Sequence, residues 1–128
     1  MANVPKSLKY TRDHEWVETM GKDKVRVGIT YYAQKQLGDI VFVDVPTEGK
    51  TLDAEEVFGT VESVKSVSDL FLPLTGSITT LNEALSDEPE LINADPYGDG
   101  WIIELTLTKP DELKSLLTAD QYEKLIAE

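Results

Sequence analysis

Apolar positions along this chain recur mostly with a period of two, broken by short polar turns. Only towards the C-terminus does the spacing become helical. Val25, Val27 and Ile29 alternate with Arg26 and Gly28, the pattern of a strand with one buried face. Glu15–Thr19 reads as the strand before it, with Met20-Gly21-Lys22-Asp23 as the hairpin loop. Thr30 is placed to cap a short helix through Leu37, ended by Gly38. Residues 39–45 are predicted as the next strand, with Val41, Val43 and Val45 alternating against Phe42 and Asp44, closed by Pro46.

Two further β-prone runs, residues 57–64 and 67–74, flank Lys65 and Ser66. Apolar runs separated by two polar residues predict a hairpin, although this junction is not the Asn-Gly or Asp-Gly of the tightest turns. Residues 77–81 continue the sheet. Residues 82–94 are acidic and irregular around Pro89 and predict a loop with a helical turn. Residues 101–107 form the last strand, with Ile103, Leu105 and Leu107 alternating against Ile102, Glu104 and Thr106. Pro110 suits a helix's first turn, Asp111 and Glu112 complement its positive end, and Leu113, Leu116 and Leu117 give it an apolar face. Thr118 to Gln121 fits a capping box opening a second helix that carries Tyr122, Leu125 and Ile126. Pattern alone thus gives a mainly β domain with a helical C-terminus.

Charge and composition narrow the function classes. At 128 residues the chain has the size of one domain. No apolar run approaches the roughly 18 residues of a membrane span. The first ten residues lack the pattern of a secretory signal or transit peptide. The expectation is cytoplasmic, and mitochondrial only if a presequence has been removed. A formal charge of −12 repels nucleic acid and acidic membranes, suits a soluble monomer, and complements basic protein surfaces. The absence of cysteine removes disulfides, thiolate nucleophiles and cysteine-based metal sites. A hydrolase could be drawn from the lone His14 with Glu15 or Asp13, but no Gly-x-Ser-x-Gly elbow accompanies it.

Against that sparse background Lys65 stands out. A predicted hairpin tip holds its amine away from the sheet, within reach of a modifying enzyme, and lets a long arm swing from a rigid platform. Gly49 precedes it by sixteen residues and Gly76 follows it by eleven. That spacing resembles lipoyl and biotinyl carrier domains, whose glycines mark tight backbone positions beside the modified hairpin. Biotin carriers usually place methionines around the lysine, whereas Val64 and Ser66 flank it here. The run Phe58-Gly59-Thr60-Val61-Glu62-Ser63-Val64-Lys65 is similar to the lipoylation site of the H proteins of the glycine cleavage system. His14-Glu15-Trp16-Val17, Gly28-Ile29-Thr30, Ala33-Gln34, Leu37-Gly38 and Val41-Phe42-Val43 match that family in order. So do Leu91-Ile92-Asn93, Pro96-Tyr97, Asp99-Gly100-Trp101 and Pro110-Asp111-Glu112-Leu113. The chain departs from it at Tyr32 and Gln36, where members often carry histidine.

The resemblance implies a flattened barrel or two-sheet sandwich of the lipoyl-carrier type, one domain over residues 1–128, with short flanking helices. It implies a non-catalytic carrier with (R)-lipoate attached to Lys65, and Glu62, Ser63, Val64 and Ser66 as flanking recognition residues. The arm would take an aminomethyl group from the P protein, a pyridoxal-phosphate glycine decarboxylase. It would deliver it to the T protein, an aminomethyltransferase, and be reoxidised by the L protein, dihydrolipoyl dehydrogenase. A lipoate ligase or lipoyl transferase would install it. Service as a lipoyl donor to other lipoate-dependent complexes is the alternative. By similarity to the family, Glu15 and Asp69 are the candidates to hold the charged amine of the loaded arm by charge-assisted hydrogen bonds. Trp16 is expected in the core and His14 in a structural role, with no metal site.

Overall fold

The computed structural model describes residues 4–127. Its strands are β1 (Lys9–Tyr10), β2 (Glu15–Thr19), β3 (Lys24–Ile29), β4 (Ile40–Asp44), β5 (Thr51–Leu52), β6 (Val57–Ser63), β7 (Val67–Phe71), β8 (Gly76–Leu81) and β9 (Ile103–Leu107). They form two antiparallel sheets, one ordered β1-β2-β3-β9-β8-β5 and one ordered β4-β6-β7. The sheets do not close into a barrel, so of the two predicted architectures the sandwich is the one adopted. The β2–β3 and β6–β7 hairpins fall where the sequence predicts them, although the second strand of the latter ends at Phe71 and not at Leu74.

The core lies between the sheets. Val17, Val25, Val27, Ile103 and Leu105 of the large sheet meet Phe58, Val61 and Leu70 of the small one. A second cluster forms around Trp16, with Leu8, Tyr10 and Tyr122. Trp16 and Val17 are both buried although they are successive on β2, so this strand is covered on both faces. The predicted core position of Trp16 holds: its Nε1 donates to the Pro96 carbonyl at 2.8 Å.

Among the described residues four α-helices accompany the sheets: α1 (Tyr31–Leu37), α2 (Ala84–Asp87), α3 (Leu91–Ala94) and α4 (Ala119–Ile126). Thr30 caps α1 by accepting from the Ala33 N–H, and Gly38 ends it with φ of 88°, a conformation that favours glycine. The capping box of α4 forms between Thr118 and Gln121.

Several sequence expectations are corrected. In β4 a register shift between Ile40 and Phe42 breaks the alternation, leaving Val41 and Phe42 both exposed; an extra residue on one strand turns its neighbours out of phase. The helix expected from Pro110 is a 3₁₀ segment, Pro110–Ser115, with no capping side chain and no buried residue. Its Glu112 carboxylate is held instead by the Thr75 N–H and hydroxyl at 2.7 and 2.9 Å. The last strand starts at Ile103, and Trp101 lies outside it, under the Arg26 guanidinium at 4.5 Å. The acidic stretch 82–94 holds two helical turns, α2 and α3, not one. Gly49 has φ of 86° with open space around it, whereas Gly76 has an ordinary φ and a close neighbour. A Cβ there would lie 2.5 Å from the Thr106 carbonyl oxygen.

Candidate functional site

The β6–β7 hairpin carries Lys65 at a tip organised by one serine. Ser63 donates its N–H to the Ser66 carbonyl at 2.8 Å. Its buried hydroxyl oxygen accepts from the N–H groups of Lys65 and Ser66 at 3.2 and 3.1 Å. A serine oxygen that satisfies two turn amides fixes a loop with no glycine in it. Val64 donates its N–H to the Asp39 carbonyl at 3.0 Å, so the tip is tied to the segment after α1 as well. Val64, Lys65, Ser66 and Val67 are exposed. The Lys65 side chain crosses Gly38, where a Cβ would come 3.1 Å from its Cε. Its ammonium has no ion-pair partner among the described residues.

A cleft of about 360 Å³ adjoins the tip. One wall is the hairpin itself, through Val61, Ser68, Asp69 and Leu70. Ser68 pairs with Val61, one position below the final pair Glu62–Val67. Asp69 is therefore two residues along β7 from Val67, about 7 Å at the usual strand rise. Tyr32, Ala33, Gln36 and Leu37 of α1 line it too, as do Ile29 and the run Asp13, His14 and Glu15. The lining is thus apolar with acids set into it.

Glu15 and Asp69 come together in this cleft in very different states. Asp69 is exposed. Glu15 is 2 % exposed, and one carboxylate oxygen accepts from the Phe71 N–H at 2.9 Å. That bond joins β2 of the large sheet to the outer edge of β7 in the small one. Burial pushes the Glu15 carboxyl well above its ordinary range, and the Phe71 bond only partly offsets it. His14 also lines the cleft, with a backbone φ of 68° that is uncommon outside glycine. Its Nδ1 lies 2.8 Å from the Tyr122 hydroxyl, and burial lowers the imidazole below its usual value. Tyr32 packs on that ring at a centroid distance of 5.0 Å. The hydrolase alternative finds no support here: the ring nitrogen that is engaged meets a tyrosine on the C-terminal helix.

Among the flanking residues, Glu62 points outward in one row with Phe42 and Val67. Ser63 is 5 % exposed and faces inward. No group of His, Cys, Asp or Glu among the described residues is arranged to hold a metal ion. No helix among them is long and apolar enough to cross a membrane.

The model of the glycine cleavage H-protein family matches residues 8–128. The chain belongs to that family. It is 54% identical over 124 residues to the glycine cleavage system H protein of Bacteroides fragilis, covering 97% of this chain and 98% of that protein. It is 52% identical over 128 residues to that of Symbiobacterium thermophilum, covering 100% and 99%. The crystal structure of the H protein from Mycobacterium marinum superposes with a TM-score of 0.85 at 41% identity, covering 98% of this chain and 100% of that one. As an H protein the chain is a lipoyl carrier and works with the other components of the glycine cleavage system.

Sequence reasoning missed three parts of this site. Gly38 was read only as a helix end, yet it also makes room for the Lys65 side chain. Ser63 is expected only as a flanking recognition residue, and the part its hydroxyl plays in organising the tip has no local signal. The bond from Glu15 to Phe71 spans 56 residues, and no local pattern announces it.

Proposed function

We propose that Lys65 is the single lipoyl attachment site and that the arm rests in the adjoining cleft. One observation carries this reading: an exposed, unpaired amine stands at a fixed hairpin tip beside a cleft whose lining is apolar with carboxylates among it. A lipoate ligase or lipoyl transferase would present an activated acyl group to the neutral form of Nζ. An amide bond forms, the activating group departs, and the amine loses its proton. Lys65 thereby loses its charge, and Leu37, Val61 and Leu70 supply a wall against which a hydrocarbon arm is removed from water. Lipoate, when attached, supplies a redox-active disulfide at the end of that arm.

The chain's own residues bind, orient and shield, and none is assigned a catalytic role. Asp69 at the exposed side and Glu15 within would favour a positively charged amine brought in on the arm. Such an amine would in turn favour the ionised form of Glu15. We assign the loading step to the P protein, unloading to the T protein and reoxidation to the L protein, with residues 1–128 acting as one monomeric carrier domain in the cytoplasm. Glu62, Val64 and Ser66 are exposed around Lys65 and are the contacts open to the modifying enzyme.

Peptide mass spectrometry after incubation with a lipoate ligase should place one adduct on Lys65. Modification on Lys35 or Lys50, or modification that survives Lys65→Arg, would overturn the assignment.

A further inference from the structure

The only histidine of the chain lines the cleft with one ring nitrogen engaged and the other without a hydrogen-bond partner among the described residues. Nδ1 lies 2.8 Å from the Tyr122 hydroxyl, which in turn lies 2.7 Å from the Thr30 hydroxyl. Thr30 Oγ1 also accepts from the Ala33 N–H at 3.2 Å. Tyr122 and Thr30 are fully buried, so water cannot complete this chain.

The proton arrangements of this relay are not equivalent: if Nδ1 carries a proton, at least one hydroxyl proton of the relay has no acceptor within it. In one such arrangement, Nδ1–H donates to Tyr122 and Tyr122 donates to Thr30. The Thr30 hydroxyl proton then has no acceptor in a dry site, a costly outcome. With Nδ1 bare, Thr30 donates to Tyr122 and Tyr122 donates to the unprotonated Nδ1. Every proton of the relay is then used, and the imidazole carries its own proton on Nε2. Nε2 sits on the ring edge opposite the one Tyr122 takes.

We propose that His14 presents its Nε2–H to the cleft as the hydrogen-bond donor for the sulfur end of the lipoyl arm, with Tyr122 and Thr30 fixing that tautomer. This rests on the assignment of Lys65 and the cleft above. The choice of sulfur follows from position and from charge. His14 precedes Glu15, which bonds Phe71, four residues along β7 from Val67, a span of about 13 Å. The amide that joins the arm to Lys65 is near the tip and out of reach, and the hydrocarbon offers no acceptor. A charged amine at the arm's end needs acceptors, which Glu15 and Asp69 supply; an N–H is left for the sulfur. Burial favours the neutral imidazole, in keeping with a donor that adds no positive charge beside that amine. Tyr122 is then a positioning residue, acting on the cleft from the C-terminal helix.

A single histidine makes the test unambiguous. Heteronuclear NMR of the unmodified protein at neutral pH should show His14 protonated on Nε2 and bare on Nδ1. Tyr122→Phe keeps the ring stacked on Tyr10 and should convert this to a tautomer mixture. In lipoylated protein, reduction of the arm should shift the Nε2–H resonance, and His14→Phe, whose ring has no N–H, should lower the docked fraction of the arm roughly two- to tenfold, the range for one hydrogen bond. Nδ1 protonated in the wild type overturns the proposal without any variant having to fold. Arm-induced shifts at Asp69 and Val61 without one at His14 overturn it while leaving the cleft assignment standing. Silence at all three overturns both.

Discussion

Glu15→Gln separates the structural work of this buried acid from any role it has towards the arm. The carboxyl is held well above its ordinary value of 4.5, chiefly by burial. In the window from that value up to the folded one, the native state binds more protons than the unfolded chain. The contribution of Glu15 to stability is therefore complete below about pH 4.3 and is lost as pH rises through the raised native value. Within the window the loss approaches about 1.4 kcal/mol per pH unit, against a total stability of roughly 5–15 kcal/mol. Glutamine has nearly the same shape, keeps an oxygen to accept from Phe71 N–H, and cannot ionise. The variant should lack this loss, so the difference between variant and wild type should move in favour of the variant as pH rises from 4.5 to 8. Urea unfolding at several pH values measures it, with an unchanged slope against denaturant confirming that the same surface is exposed. Parallel pH profiles for the two proteins would refute the claim that burial raises the Glu15 carboxyl above its ordinary value.

Three other perturbations have definite outcomes. Gly76→Val places a side chain into the Thr106 carbonyl, which a Cβ would already approach to 2.5 Å; the β8–β9 pairing should be disrupted, seen as lost thermal stability and lost lipoylation. Ser63→Ala removes the acceptor for two turn amides; a modest loss of about 1 kcal/mol should accompany a much larger fall in the rate of Lys65 modification, and an unchanged rate would show that the tip needs no fixed shape. Asp69→Asn should leave lipoylation and thermal stability unaltered while the loaded protein releases its amine roughly two- to fivefold faster, the range for an exposed charge pair; equal ammonia release would return Asp69 to the ordinary surface acids.

The parts of this fold that were legible in the sequence are those set by local patterning. Period-two alternation located β3, two β-prone runs around Lys65 and Ser66 located the β6–β7 hairpin, and the caps of α1 and α4 were readable because Thr30, Gly38, Thr118 and Gln121 act within four residues of themselves. What stayed hidden depends on partners distant in sequence or on one inserted residue. The shift at β4 turns Val41 outward beside Phe42, and no composition signal marks it. Gly28 looked like an ordinary member of an alternating strand, but a Cβ there would meet the Trp16 ring at 2.7 Å. Lys65 was legible as a tip residue, whereas the cleft beside it was not, because its lining comes from β2, α1, β6 and β7 at once.

The two acids of the cleft illustrate why resemblance alone does not assign roles. From the sequence Glu15 and Asp69 are two equivalent carboxylates for one cationic cargo. In the structure Asp69 is exposed, so any attraction it exerts is screened by water and salt. Glu15 is buried and already holds a backbone N–H of the opposite sheet, so it cannot turn towards a ligand without releasing Phe71. An amine reaching Glu15 would have to share the carboxylate with that bond, and would find it in a medium where a charge pair is far stronger than at the surface. The same burial that raises the cost of its charge when the cleft is empty strengthens the attraction once a cation enters. If the proposed cargo site is right, Glu15 would respond to the cargo and Asp69 would admit it, and substituting both at once would merge two effects that differ in size, salt dependence and pH dependence.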